Sequence, residues 1–130
     1  MTVLRGEQGS MVLGVGLAAV VVMVAVAVGS VGAGIAAYVH AANGADAAAL
    51  AAAPVTFRPF GADGTPAAEA ARFAGLNGVS LVRCICAIDH TWDTRTVEVV
   101  VAHELIVPIV GTVTVRATSR ATFEPVALIP

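Results

Sequence analysis

Residues 11–37, MVLGVGLAAVVVMVAVAVGSVGAGIAA, decide the fold. No residue in this stretch carries a charge, and it is built almost wholly from Val, Ala, Gly, Leu, Met and Ile. A bilayer core takes about 20 such residues as a helix, so the run is long enough to cross a membrane with a few to spare. Burying it as the core helix of a soluble protein would need a large surrounding domain. The chain has 130 residues in all, room for about one domain. Composition carries the same imbalance: 58% hydrophobic and 12% charged, against about 45–50% and about 25% in soluble proteins. A cleaved secretory signal has an apolar core of only about 7–15 residues. This run is about twice that length, and a helical pattern continues past it, so the anchor is expected to be retained.

Charge sets the expected orientation. Arg5 and Glu7 precede the apolar run, whereas His40 and Asp46 follow it, with no Lys or Arg until Arg58. Basic residues are retained on the cytoplasmic side, so residues 1–9 are expected to form a cytoplasmic leader and the C-terminal part to lie outside the cytoplasm. The net charge is −2 and the chain has no lysine. That balance supplies no basic patch, which argues against nucleic acid as a partner.

Small residues recur through the helix at every fourth position. Ala25, Gly29, Ala33 and Ala37 form one row, which Ala41, Ala45, Ala49 and Ala53 continue, and Ser30 and Gly34 add a second small pair. Residues four apart share a helix face, and small side chains there let another helix approach closely. The expected partner of this face is another helix. Tyr38 and His40 suit the membrane interface, where amphipathic rings prefer to sit. Residues 41–53 are nearly all alanine, the strongest helix former, so one element is expected over residues 10–53. Asn43-Gly44 is a place for it to weaken or bend, and Pro54 is expected to end it.

Residues 54–64 read as a linker, with Pro59, Gly61 and Gly64 marking turns. Thr65-Pro66 then opens a second helix, threonine as N-cap and proline at the first helical position. Its packing side is expected to be Ala68, Ala71 and Phe73 or Leu76, and Asn77-Gly78 stops it. From Val79 the period changes to two. Val82, Cys84, Cys86 and Ile88 would share one face of a first strand. Val97, Val99, Val101, Leu105 and Val107 line a second, with Glu98 and Glu104 opposite. Val113, Val115, Ala117, Ala121 and Phe123 alternate with Thr112, Thr114, Arg116, Thr118, Arg120 and Glu124 on a third. Short connections make this an antiparallel meander with one wet face, and the second helix would cover the other. The expected fold is therefore α+β: a long N-terminal transmembrane helix, and a short second helix packed on a three-stranded antiparallel sheet in residues 65–130.

At this point the residues carry a resemblance. A polar leader Arg5-Gly6-Glu7-Gln8-Gly9, the long apolar helix, and the alanine-rich stretch after it containing Asn43, Asp46 and Leu50 look like the TadE/TadG-like proteins of Flp (tight-adherence) pilus systems. The strand from Val113 to Ala121 is similar to that family's C-terminal part. The resemblance spans most of the chain and rests on low-complexity motifs. It implies a minor pilin or pilin-like assembly component, held in the cell membrane by one span and meeting other pilus subunits through its N-terminal helix. Pilin precursors of this general type are cut after a glycine by a prepilin peptidase, which makes Gly9–Ser10 the candidate junction. A cut there would put Gly14 at the fifth mature position, and a cut after Gly6 would put Met11 there. Pilins of this type usually carry a glutamate at that position. The departure keeps a second reading in view: a single-pass, membrane-tethered binding or assembly module that never enters a filament.

The residues offer little for catalysis. Cys84 and Cys86 are the two cysteines. Two apart on a strand they face the same side, where a disulfide would be strained. An oxidised pair, an intermolecular bridge and two buried thiols all stay open, with buried structural thiols the default. With His90 they spell Cys-x-Cys-x3-His, a soft-metal spacing that lacks a fourth ligand. His103 and Glu104 would point to opposite faces of a strand. Ser80 and Ser119 have no elbow glycines around them, and Gly29-x-x-Gly32-x-Gly34 lies inside the apolar helix rather than after a strand. The expectation is a protein that is no enzyme and carries no cofactor or metal, with the lipid bilayer and other subunits as its partners.

Overall fold

The computed structural model describes residues 7–57, 64–108 and 110–129, with side chains from Met11 onward. The elements are helix α1 (Glu7–Val55), helix α2 (Pro66–Leu76), strands β1 (Ser80–Ile85), β2 (Arg95–Val107) and β3 (Gly111–Phe123), and a 3-10 turn over Pro125–Leu128. The layout is the α+β one expected, with a sheet ordered β1-β2-β3 and antiparallel throughout. The chain divides into two units between Ile35 and Ala36. The first is the apolar part of α1, a single helix long and apolar enough to cross a membrane. At 1.5 Å per residue, residues 11–37 extend about 40 Å, against a hydrocarbon core of about 30 Å. The one hydroxyl of residues 11–37 is satisfied within the helix, Ser30 Oγ donating to the carbonyl of Val26 at 2.8 Å. No polar side-chain group of this stretch is then left to face lipid unbonded.

The second unit begins at Ala36 and owes its form to alanine. Ala41, Ala45, Ala48, Ala49 and Ala52 are completely buried, in one cluster with Ala70 and Ala74 of α2, Val79 just before β1, Val97, Val99 and Val101 of β2, and Ala117 and Ala121 of β3. Methyl-sized side chains let the helix lie close over the sheet, and the valines of the central strand fill the space between. This corrects the expected layering. The alanine-rich part of α1 covers the apolar face of the sheet together with α2. Asn43-Gly44 does not interrupt the helix, which is continuous from Glu7 to Val55, and a Cβ on Gly44 would sit 2.5 Å from Cγ2 of Val79. Glycine occupies that position because the chain entering β1 crosses there.

Pro54 lies inside α1 and the helix ends one residue later. The proline removes one donor from the last turn. Thr56 then closes the end, its buried hydroxyl donating to the Ala53 carbonyl at 2.6 Å and Phe57 N–H donating to the Pro54 carbonyl at 3.1 Å. Residues 58–63 of the expected linker, Pro59 and Gly61 among them, lie outside the described residues.

Helix α2 starts as its sequence dictates, the amide of Ala68 donating to Thr65 Oγ1 at 3.1 Å. It stops at Gly78, whose φ of +69° favours glycine. Its buried stripe is Pro66, Ala70 and Ala74; the expected Ala68, Ala71 and Leu76 are exposed and Phe73 is half-buried. The stripe is one step out of phase because the narrow alanine surface, rather than the larger apolar residues, meets the core.

Strand β1 corrects a second expectation. Leu81 lies opposite Val101 and Cys84 opposite Val99, while the register slips between Leu81 and Arg83. Val82 is the extra residue of a β-bulge, which reverses the phase of alternation. Leu81 and Cys84, three apart, therefore pack against the core, and Val82 is exposed. The strand ends at Ile85, so Cys86 and Ile88 fall beyond it. Strands β2 and β3 follow the expected alternation, with Ser119 added to the half-buried side.

Candidate functional site

Two surfaces answer to the sequence signals: the small-residue row of α1, and the groups that α1 meets as it runs over the sheet. The row splits. Ala25, Gly29 and Ala33 are exposed, and a Cβ on Gly14, Gly16, Gly29, Gly32 or Gly34 would meet no atom within 4 Å. Ala37, Ala41, Ala45, Ala49 and Ala53 are buried. The first half of the row is thus an open surface of methyls and backbone, and the second half is the inner wall of the compact unit. Gly9 and Ser10 lie in the helical backbone of α1, two and three residues after its start at Glu7. Arg5 and Gly6 lie outside the described residues.

Of the family-like segment, Asn43, Asp46 and Leu50 are all on the exposed side of the helix. Asp46 accepts a hydrogen bond from Ser119 Oγ on β3. No local pattern announces that pairing, because the two residues are 73 apart and serine sits in a strand pattern like its threonine neighbours. Further along α1, the ring of His40 meets that of His103 edge-on, centroids 4.8 Å apart. His103 Nδ1 is 3.3 Å from the Gly78 carbonyl, which joins β2 to the end of α2.

Cys84 and Cys86 are joined in a disulfide, with Cα atoms 5.4 Å apart. The default expectation is two buried thiols, with an oxidised pair left open, because a bridge between residues two apart on one strand would be strained. The strand ends between them, so the chain draws in to a separation common among disulfides. While oxidised, the pair offers no thiolate, and the Cys84, Cys86, His90 spacing cannot act as a soft-metal set. No three His, Cys, Asp or Glu side chains come together as a metal site among the described residues.

The wet face of the sheet carries one charge cluster. Glu98 on β2 accepts from Arg83 of β1 at 2.9 Å and from Arg120 Nε of β3 at 2.8 Å, linking all three strands. The hydrogen bond from Arg120 chiefly, with the charges of both arginines, holds the Glu98 carboxyl below its ordinary range. Glu69 is likewise lowered by its hydrogen bond from Arg72 on α2. At the end of the sheet near Phe57, Arg95 donates to the carbonyls of Asp89, Thr91 and Asp93 and gathers the β1–β2 loop. Asp89 accepts from the Thr91 amide at 2.9 Å, which lowers its carboxyl. Trp92 from this loop packs edge-on against Phe57, centroids 4.8 Å apart.

Comparison of the chain with known family models, curated proteins and solved structures gives no match. The functional reading therefore rests on the residues themselves.

Proposed function

We propose that this chain is a pilin-like, membrane-anchored structural or assembly component of the TadE/TadG-like kind, a minor pilin of a Flp/Tad-type pilus. Residues 1–9 would lie in the cytoplasm, α1 would cross the cell membrane once, and the unit beginning at Ala36 would sit outside. The observation that carries this reading is the split of the small-residue row. Ala25, Gly29 and Ala33 lie open, with no chain atom near the glycine, on a helix whose later alanines are built into a folded head. Such a face suits close packing against the helices of other subunits. The Cys84–Cys86 disulfide supports the external placement, since disulfides persist in oxidising compartments.

The second reading, a tethered binding or assembly module outside any filament, is favoured by Gly14, which takes the fifth position after a cut at Gly9. Mass spectrometry of the mature N-terminus in cells with prepilin peptidase, combined with shearing of surface filaments, separates the two. A subunit starts at Ser10 and is recovered in the sheared fraction. An uncut chain confined to the membrane fraction replaces it with the tethered module.

A further inference from the structure

The β2–β3 hairpin continues past the buried core. Three contacts fix its direction relative to the part of α1 within the same unit: Phe57 with Phe123, Asp46 with Ser119, and His40 with His103. As α1 is followed back toward Ala36, β2 is followed forward toward Val107, so the hairpin tip lies at the end of the unit where α1 enters it. That is the end marked by Tyr38 and His40.

Among the described residues the tip is apolar, open on its outward face and half-buried on its inward one. From Leu105 to Val115 there is no charged residue; Glu104 and Arg116 bracket the run. Burial fades along the inward face, from Val97, Val99 and Val101 to the half-buried Leu105 and Val107, and Val113, paired with Leu105, is exposed. On the outward face Ile106 is 80% exposed, and Val110 in the turn is 72% exposed. Ile106 stands three residues beyond His103, about 10 Å along the strand.

We infer that this hairpin tip, through Ile106, Val110 and Val113, is a second membrane contact that rests in the bilayer interface. The inference depends on α1 being a membrane span, because that is what places lipid at this end of the unit. Its depth is limited. Strand edges carry unpaired backbone groups that hydrocarbon cannot satisfy, and Glu104 and Arg116 hold the hairpin at the headgroup level. The expected seat is the boundary between headgroups and acyl chains, where the exposed side chains leave water while the charges stay in it.

The full chain in phosphatidylcholine vesicles with and without lipid brominated near the headgroup end of the acyl chains provides the test. In a Trp92→Phe background, Ile106→Trp and Val110→Trp each supply one fluorophore at the tip. Val24→Trp reports on the span, and wild-type Trp92 reports on the opposite end of the unit. The expected result is blue-shifted emission at positions 106 and 110 and its loss on bromination, more from shallow than from deep bromines, with Trp92 unaffected. Quenching at position 24 without quenching at 106 and 110 overturns the inference and leaves the anchor standing. Blue-shifted but unquenched emission at 106 means a second copy of the chain covers the tip, and also overturns it. No quenching at position 24 overturns the anchor and the inference together. Ile106 and Val110 are exposed, so both variants are expected to fold, which the unchanged circular dichroism of each would show.

Discussion

Ala25, Gly29 and Ala33 carry the same four-residue spacing as Ala45, Ala49 and Ala53, yet the first three are open and the last three are buried. A row of small residues states only that something can come close. What comes close is decided by the rest of the chain. After Pro54 the chain supplies its own partner, a sheet whose central valines meet the alanines. Before Ala36 no atom of the described residues comes within 4 Å of a Cβ placed on Gly14, Gly16, Gly29, Gly32 or Gly34, which leaves that face open.

Substitutions that fill the two halves should therefore behave differently. Ala45→Leu forces a larger side chain into a fully closed wall and should lower the stability of the second unit by about 3 kcal/mol, read as a shift in the urea midpoint followed by Trp92 fluorescence in detergent. Gly29→Leu with Ala33→Leu should leave that midpoint unchanged and weaken helix association, measured by crosslinking in the membrane. Equal effects of the two changes on the midpoint would erase the distinction.

A smaller effect is expected at Gly44. Alanine there gains helix propensity worth about 1 kcal/mol and must displace the branched side chain of Val79, costing about 1–3 kcal/mol. The net should be a loss of about 1 kcal/mol, reversed when Val79→Ala is added. A stabilised Gly44→Ala would mean that the chain entering β1 does not press on α1.

Ser119→Ala should lower stability by about 0.5–1 kcal/mol through the lost bond to Asp46, and adding Asp46→Ala should cost little more. Full additivity of the two losses would show that the bond is absent in solution.

The smallest effect belongs to Glu98, which is on the wet face. Its carboxyl is lowered in the fold, so the stabilisation from Arg120 and Arg83 is present above the ordinary value of 4.5. It is lost as pH falls through the lower folded value. Glu98→Gln should be slightly less stable than wild type at pH 7 and converge with it in acid. A constant gap down to acid pH would mean that the ion pairs add nothing.

These comparisons also show what the sequence could express. The long apolar helix, the Thr65-Pro66 start of α2 and the alternation of β2 and β3 are local patterns, and each is found where its residues place it. The bulge at Val82 is not local. Leu81 and Val82 are both apolar, and only the opposing β2 decides which turns inward. In the same way Ala68 and Ala70 are indistinguishable as letters, and the helix's phase was set by the core it meets. Of the candidate surface, the open small-residue row was legible. Its inward continuation was not, since Ala41–Ala53 would look the same against a second helix as against a sheet. The Gly44–Val79 approach and the Asp46–Ser119 bond join distant parts of the chain, and no spacing announces them.

In the function proposed above, one helix holds a folded unit outside a membrane. Labelling with a membrane-impermeant maleimide in spheroplasts tests it most directly, because Cys84 and Cys86 are bonded to each other and leave an introduced thiol as the reactive one. In cells without prepilin peptidase, where residues 1–9 stay on the chain, Ala71→Cys, on the exposed side of α2, should react from outside in intact spheroplasts, whereas Thr2→Cys should react only after permeabilisation. Labelling of Thr2→Cys but not Ala71→Cys in intact spheroplasts, or recovery of the chain in the soluble fraction, would contradict the account.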